Sequence, residues 1–144
     1  MPEPRTLDAP NAASATSGRL RGSRVGDILP RRMLGTPRGA RRLDATAFVI
    51  PGSASLTTYA KDLTDRSDAF AAWDGDVKWL PPDGGFDHLV AVVDRYGQIY
   101  DITSSAEWTA LPSAMALEEW FRLLATACPE CGVIDDPLPR TWVP

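Results

Sequence analysis

The chain is poor in the residues that carry most metal and redox chemistry. Its 144 residues include only two cysteines and one histidine. Two cysteines can form one disulfide at most, so a small fold stapled by several disulfides is excluded. The apolar run Leu89–Val93 is far too short to cross a bilayer as a helix. We therefore expect no membrane span.

Several common functional motifs are also missing. Residues 1–18 have no apolar stretch of the kind that a secretory signal needs, so we expect a cytoplasmic protein in a reducing environment. The sequence contains no Walker motif and no glycine-rich dinucleotide loop. The aspartates at 74–76 and 83–85 have poor spacing for calcium and are typical of turns.

Charge is distributed unevenly along the chain. Residues 1–43 carry nine arginines and three acidic residues, which gives +6, whereas residues 44–144 carry six basic and sixteen acidic residues, which gives −10. A basic arm on an acidic body favours contact with an acidic surface, either on another copy of the chain in a homodimer or in a larger complex. The arm has no aromatic residue on which bases could stack, so nucleic-acid binding is disfavoured.

Composition and periodicity divide the chain into three parts. Residues 1–22 are rich in Pro, Ala, Ser, Thr and Arg, which predicts a disordered basic tail. Residues 23–132 carry the apolar patterning of one domain, and residues 133–144 are expected to form an extended C-terminal tail anchored by Trp142. In the domain the patterns predict a short hairpin around Gly35–Gly39, strands near 47–50, 77–80, 88–93 and 98–101, and helices near 54–73 and 113–127. The first helical segment has a break near Ser67, after which Phe70 and Trp73 resume the i, i+3 spacing.

This element order predicts an α/β fold. A βαβ unit is followed by an antiparallel hairpin, with its tight turn at Asp94–Gly97, and then by a helix that packs on the sheet. Ser113 is the expected N-cap of that last helix. The arrangement corresponds to a three-layer α/β sandwich.

The order and several residues together resemble a thioredoxin-like domain of the peroxiredoxin-like type, the redoxin or alkyl hydroperoxide reductase/thiol-specific antioxidant group. The segment 89-LVAVVDRYGQIY-100 is similar to the hairpin of that family, and the helix that ends in CPECG is similar to the C-terminus of one subset. The family's lead-in pattern is matched by Gly26, Asp27, Pro30, Leu34, Gly39 and Leu43. The resemblance covers about residues 23–132 and implies a thioredoxin-like three-layer sandwich. It is trimmed, because residues 80–88 are too few for the family's further helix and strand.

The position that carries the chemistry departs from the family. The resemblance implies a cysteine in the first turn of the helix after the first central strand, where the helix N-terminus lowers the pKa of a thiol. That position falls on Ser53, with Ser55 nearby, and a serine hydroxyl is too weak an acid to attack peroxide or a disulfide. The expected active site is therefore degenerate, and Ser53 and Ser55 are vestigial positions.

The two cysteines, Cys128 and Cys131, admit three interpretations. As a redox pair they would follow a helix C-terminus, where the dipole disfavours a thiolate, and Glu130 between them acts in the same direction. As a zinc half-site, CPEC would need two further ligands from a second chain or a partner. As a structural closure they would pack as small apolar groups after Pro129 ends the helix.

These observations favour a non-catalytic thioredoxin-like module that binds another protein, as an accessory subunit or assembly factor of a larger complex, for which a redox complex is one candidate. The enzyme alternative is a thiol-disulfide oxidoreductase or peroxiredoxin-like activity through Cys128 and Cys131. A third alternative is zinc binding at a CPEC half-site shared between chains; otherwise no cofactor is expected. A Ser53–His88–Asp triad is disfavoured, because 52-GSAS-55 lacks the second glycine of a nucleophile elbow and His88, at a strand start, is expected to be structural.

Overall fold

The computed structural model describes residues 16–30 and 45–126 of the chain. The hairpin predicted around Gly35–Gly39, the lead-in residues Leu34, Gly39 and Leu43, and the tail 133–144 lie outside these residues. Cys128 and Cys131 lie outside them as well.

The described residues form a mixed α/β fold with a four-stranded sheet. A first helix, α1, covers residues 16–21. The remaining helices and strands follow in the order β1 (Ala45–Ile50), α2 (Thr57–Asp65), α3 (Ser67–Ala72), β2 (Gly75–Trp79), β3 (His88–Asp94), β4 (Ile99–Ser105) and α4 (Ala114–Thr126). The four predicted strands and the C-terminal helix are confirmed, with ends that differ by at most four residues.

The sheet has the strand order β2-β1-β3-β4. Strands β1 and β2 are parallel and are joined by the helical connection, whereas β3 runs antiparallel to both β1 and β4. The turn between β3 and β4 is the predicted one: the Gly97 amide donates to the Asp94 carbonyl over 3.0 Å, and Gly97 adopts a φ of 91°. This positive φ explains why a glycine follows Tyr96.

The helical connection predicted over residues 54–73 contains the break that the sequence pattern indicates near Ser67. It consists of two helices that meet at Arg66, whose φ of −104° and ψ of 8° depart from helical values. The Arg66 amide bonds the carbonyl of Leu63, three residues back, over 3.2 Å, so the last turn of α2 tightens and the axis breaks. Helix α2 also starts at Thr57 rather than near residue 54. Ser53, before the helix, instead donates from its amide to Phe86 in the loop 80–87.

Successive side chains of the central strands point to opposite faces, and each face has its own core. On the first face, alternate residues of β1 and β3 pack beneath α2, α3 and α4. The largest contributions from these helices come from Tyr59, Leu63, Phe70, Leu117 and Phe121. The apolar side chains expected to face the core from this last helix include Leu117, Trp120, Phe121 and Leu124, which do so, and Met115, which is 65% exposed.

The second face of the sheet is covered by residues that precede β1 in the chain. Leu20 of α1 and Leu29, both at most 1% exposed, pack on Phe48, Ile50 and the second set of β3 residues. Residues 16–22 therefore differ from the disordered tail that composition predicts, because Leu20 finds a large apolar surface that is distant in sequence. Residues 1–15 of that predicted tail lie outside the described part of the chain.

Candidate functional site

The candidate site lies where the parallel strands β1 and β2 end. In open α/β sheets the carboxyl ends of parallel strands are the usual place for ligand contacts, because the loops that follow them meet there. Here the loop 51–56 after β1 meets the loop 80–87 after β2. The Ser53 amide donates to the Phe86 carbonyl over 3.1 Å and joins the two loops.

Gly52 makes the contact between the loops unusually close. A β-carbon at this position would lie 2.3 Å from the carbonyl oxygen of Phe86 and 2.7 Å from the amide nitrogen of His88. Both atoms belong to backbone, so they could not move aside without shifting the loop. Glycine is therefore required here for close approach of two backbones. In the sequence, Pro51-Gly52 indicated only the end of a strand.

Ser53 does not occupy the first turn of the following helix. It lies four residues before Thr57, is exposed, and its hydroxyl donates to the Phe86 carbonyl at 3.4 Å. The sequence-based expectation that Ser53 marks a position in the first helical turn is corrected by this placement. The physical reason is that residues 52–53 continue from β1 along the loop 80–87 before the helix begins.

Ser55 is the serine that serves the start of α2. Its hydroxyl oxygen accepts a hydrogen bond from the Thr57 amide over 3.2 Å and shares another with the Thr57 hydroxyl over 3.0 Å. Helix α2 has Leu56 as its N-cap and no N-cap side-chain bond, so Ser55 satisfies one of the free amides from the preceding position. The sequence suggests the serines at 53–55 as N-caps, but Leu56 holds the N-cap position and Ser55 bonds Thr57 from outside it.

His88 is fully buried at the start of β3. Its Nδ1 accepts a hydrogen bond from the Gly52 amide over 2.7 Å, so the neutral imidazole carries its proton on Nε2. Nε2 is buried and has no hydrogen-bond partner among the described residues. Burial lowers the pKa of His88, the Arg21 charge lowers it further, and Asp87 acts in the opposite direction. His88 thus has the expected structural role, which it performs through the hydrogen bond that Nδ1 accepts from Gly52.

The observed contacts give no Ser53–His88 relay. The Ser53 hydroxyl bonds the Phe86 carbonyl, and the Nδ1 of His88 is occupied by Gly52. A general base must be within hydrogen-bond reach of the proton that it accepts. These two residues come close through their backbones but do not form the side-chain pair that hydrolysis needs.

The loop 80–87 is tied to α1 by a charged pair. The guanidinium of Arg21 contacts both carboxylate oxygens of Asp83, with Nε to Oδ2 at 2.7 Å and Nη2 to Oδ1 at 2.9 Å. The Gly85 amide also donates to Asp83 over 3.0 Å, and a β-carbon on Gly85 would lie 2.8 Å from the guanidinium carbon. The hydrogen bond from Arg21 is the main reason why the pKa of Asp83 is lowered. The loop is therefore shaped around Arg21, and part of the basic arm docks on the acidic body of its own chain.

Two aromatic side chains are exposed at this end of the sheet. Phe86 is 70% exposed and Trp79, the last residue of β2, is 41% exposed. Pro81 and Pro82 between them are exposed as well. We call these four residues the aromatic rim. The sequence analysis did not identify the rim, because Trp79 fitted an ordinary strand pattern and Phe86 lay in a glycine-rich loop.

A separate surface cavity of about 670 Å³ lies between the α2–α3 junction and the start of α4. Asp62, Asp65 and Asp68 line it together with Arg66, whose guanidinium pairs with Glu118 over 2.5 Å. Because the carboxylates dominate, the cavity is unsuited to phosphate or other anions. It lies apart from the loops at the ends of β1 and β2.

Metal and membrane sites were sought in the described ranges. Within residues 16–30 and 45–126, no group of three or more His, Cys, Asp or Glu residues is placed to hold a metal ion. The zinc hypothesis concerns Cys128 and Cys131, which fall outside those ranges, and it stays a prediction. In the described part of the chain, no helix is both long and apolar enough to span a membrane.

Comparison with protein-family models, with curated proteins and with solved structures gives no match to this chain. The resemblance to the thioredoxin-like family therefore rests on the element order and on the sequence segments quoted above.

Proposed function

We propose that the chain is a non-catalytic, thioredoxin-like protein-binding module that holds its partner at the aromatic rim, as an accessory subunit or assembly factor. The single observation that carries this proposal is that the side chain of Phe86 is exposed while its backbone is held by hydrogen bonds. Its side chain is 70% exposed, while its carbonyl accepts hydrogen bonds from both the amide and the hydroxyl of Ser53. When a partner covers an exposed aromatic residue whose backbone is already held in place, little backbone entropy is lost.

The thioredoxin-like part of the proposal is supported by the order of elements. A parallel βαβ unit is followed by an antiparallel hairpin and a helix that packs on the sheet, as the resemblance implies. The loop 80–87 stands where the family has a further helix and strand, and α1 with Leu29 covers the second face. The proposal of a non-catalytic role is supported by Ser53, whose hydroxyl bonds the Phe86 carbonyl.

The decisive experiment compares variants in binding. The chain is used to capture its partner from the native cell, the partner is identified and purified, and its Kd is measured with wild-type chain and with Phe86→Ala. We expect a loss of at least about tenfold in affinity, since exposed aromatic residues are frequent hot spots. Met115→Ala is the matched control, because Met115 is 65% exposed but lies on α4, beside the acidic cavity. Equal affinity of wild type and Phe86→Ala would contradict the proposal.

The enzyme alternative has its own test. Peroxide consumption with thioredoxin or glutathione as reductant is measured for wild type, Ser53→Ala and Cys128→Ser. We expect no turnover above background in any of them. Turnover that Cys128→Ser abolishes would establish oxidoreductase activity through the C-terminal pair, and stoichiometric zinc in anaerobically purified protein would establish the shared metal site.

A further inference from the structure

The sole histidine of the chain lies at the centre of the contact between the two loops. Gly52 donates to His88 Nδ1 over 2.7 Å, and the next residue, Ser53, donates from its amide to the Phe86 carbonyl over 3.1 Å. Gly52 has no space for a β-carbon beside residues 86–88. The position of Phe86 is therefore coupled to the hydrogen bond that His88 accepts.

Only the neutral imidazole can accept this hydrogen bond. In the charged form both ring nitrogens carry protons, so Nδ1–H would face the N–H of Gly52, donor against donor. The ring is fully buried, so a charge on it would also lose its hydration. Because Gly52 donates from its backbone, the conflict is relieved only if the buried ring of His88 or the loop 51–53 moves.

The charged groups around the ring come from two segments. Asp87 precedes it in the chain and favours the charged form, while Arg21 of α1 disfavours it. Arg21 is itself paired with Asp83. The loop after β1 contributes the uncharged Gly52, and the β4 residue in register with His88 is the uncharged Ser105. Among the described residues, Asp87 is thus the negative charge that favours a protonated His88.

We propose that His88 is an acid-sensitive latch: its neutral form holds the loop 51–53 against residues 86–88, and its protonation releases that loop and frees Phe86 from its fixed position. This inference rests on the proposed function for its consequence, since release would weaken the partner's contact with the aromatic rim. The latch itself depends on the Gly52–His88 contact alone. Mildly acidic conditions are then the signal, and partner release is the response.

The test of the latch needs no partner. Because the chain has a single histidine, one imidazole resonance follows the protonation of His88 by NMR. Because the pKa of His88 is lowered, amide exchange of Gly52 and Ser53 is measured in parallel from about pH 7.5 to about pH 4 and corrected for intrinsic exchange. We expect protection of both amides to fall at least about tenfold, with the same midpoint as the imidazole resonance, while Val90 in the central strand stays protected.

A variant separates protonation from other effects of acid. In His88→Asn the side-chain oxygen stands near the place of Nδ1 and accepts the Gly52 hydrogen bond, but it does not titrate. We expect the loss of protection at low pH to disappear in this variant. Exchange of Gly52 and Ser53 that is unchanged while the imidazole titrates would overturn the latch. So would an equal loss of protection in His88→Asn.

The outcomes distinguish the latch from the proposed function. If the latch operates but Phe86→Ala binds the partner as wild type does, the proposed rim is wrong and the latch stands. If Phe86→Ala loses affinity but the amides do not respond to His88, the rim stands and the latch is wrong.

Discussion

The ring of Phe121 lies directly on the backbone of Gly75. A β-carbon built on Gly75 would be 2.4 Å from the ring carbon Cγ, and the same ring makes an edge-to-face contact with Phe70 at 5.1 Å between centroids. Phe121 belongs to α4, and Gly75 is the first residue of β2. This contact fixes how closely the last helix approaches the edge of the sheet that carries β2.

Phe121→Ala should therefore be strongly destabilising. The side chain is fully buried, and truncation leaves a cavity over Gly75 that the backbone cannot fill. We expect a loss of about 3–5 kcal/mol in the free energy of unfolding, measured by urea denaturation. Leu123→Ala, two residues along the same helix and 49% exposed, should stay within about 0.5 kcal/mol of wild type. Similar losses in both variants would contradict the contact.

Gly52→Ala should disrupt the loop contact at the candidate site. The added methyl group would meet the Phe86 carbonyl oxygen at 2.3 Å, so the two loops have to separate. We expect a loss of about 1–3 kcal/mol, as is typical of overpacking, and weaker partner binding. Gly18→Ala is the matched control: it lies in α1, and its β-carbon would meet nothing within 4 Å. That variant should be neutral or up to about 1 kcal/mol more stable.

Arg21 and Asp83 should show measurable coupling. A double-mutant cycle with Arg21→Ala and Asp83→Ala is expected to give an interaction of about 1 kcal/mol or less, since the pair lies at the surface and is screened. The two side chains form a bidentate pair between segments 62 residues apart. Additive effects of the two substitutions would show that the pair contributes nothing to stability.

The same pair sets a pH dependence. The folded state lowers the pKa of Asp83 from its ordinary value of 3.8, chiefly through the hydrogen bond from Arg21. The stabilisation is therefore complete above that value and is lost as the pH falls below it through the lowered pKa. We expect the coupling measured by the cycle to decline below about pH 4 and to fall with added salt at neutral pH.

Tyr59 should resist ionisation and contribute a buried hydrogen bond. Its hydroxyl donates to the Pro112 carbonyl over 2.6 Å, and burial raises its pKa. Of the three tyrosines in the chain, we expect Tyr59 to remain protonated when an exposed tyrosine ionises near pH 10, as followed by ultraviolet absorbance. Because the folded pKa is raised, its contribution to stability is present below about pH 10 and is lost above it.

Tyr59→Phe tests the hydrogen bond itself. We expect a loss of about 1–2 kcal/mol, because the Pro112 carbonyl loses its donor while the ring still fills the core. Tyr96→Phe, at a site that is 43% exposed, should change stability by less than about 0.5 kcal/mol. If the Tyr59→Phe variant is as stable as wild type, water satisfies the Pro112 carbonyl instead.

The sequence by itself determined the local elements of this protein. The continuous apolar run of residues 89–93, the turn chemistry of Asp94–Gly97 and the apolar spacing in 114–126 each involve residues close together in the chain, so the patterns identify the strands and the last helix. The same patterns placed β1 and β2 correctly to within two residues at each end. They also indicated the break near Ser67, but they could not show that α2 starts only at Thr57, since that end depends on contacts with a distant segment.

Only the tertiary structure decided what these elements bring together. Leu20 is buried because α1 lies on the second face of the sheet, and the contacts of Arg21 with Asp83 and of Gly52 with His88 join segments 62 and 36 residues apart. No local pattern encodes such pairs: an arginine-rich arm and a glycine-rich loop have the same composition whether or not they meet. Phe86 is exposed and His88 buried for the same reason, because two backbones converge at Gly52 where a side chain would have kept them apart.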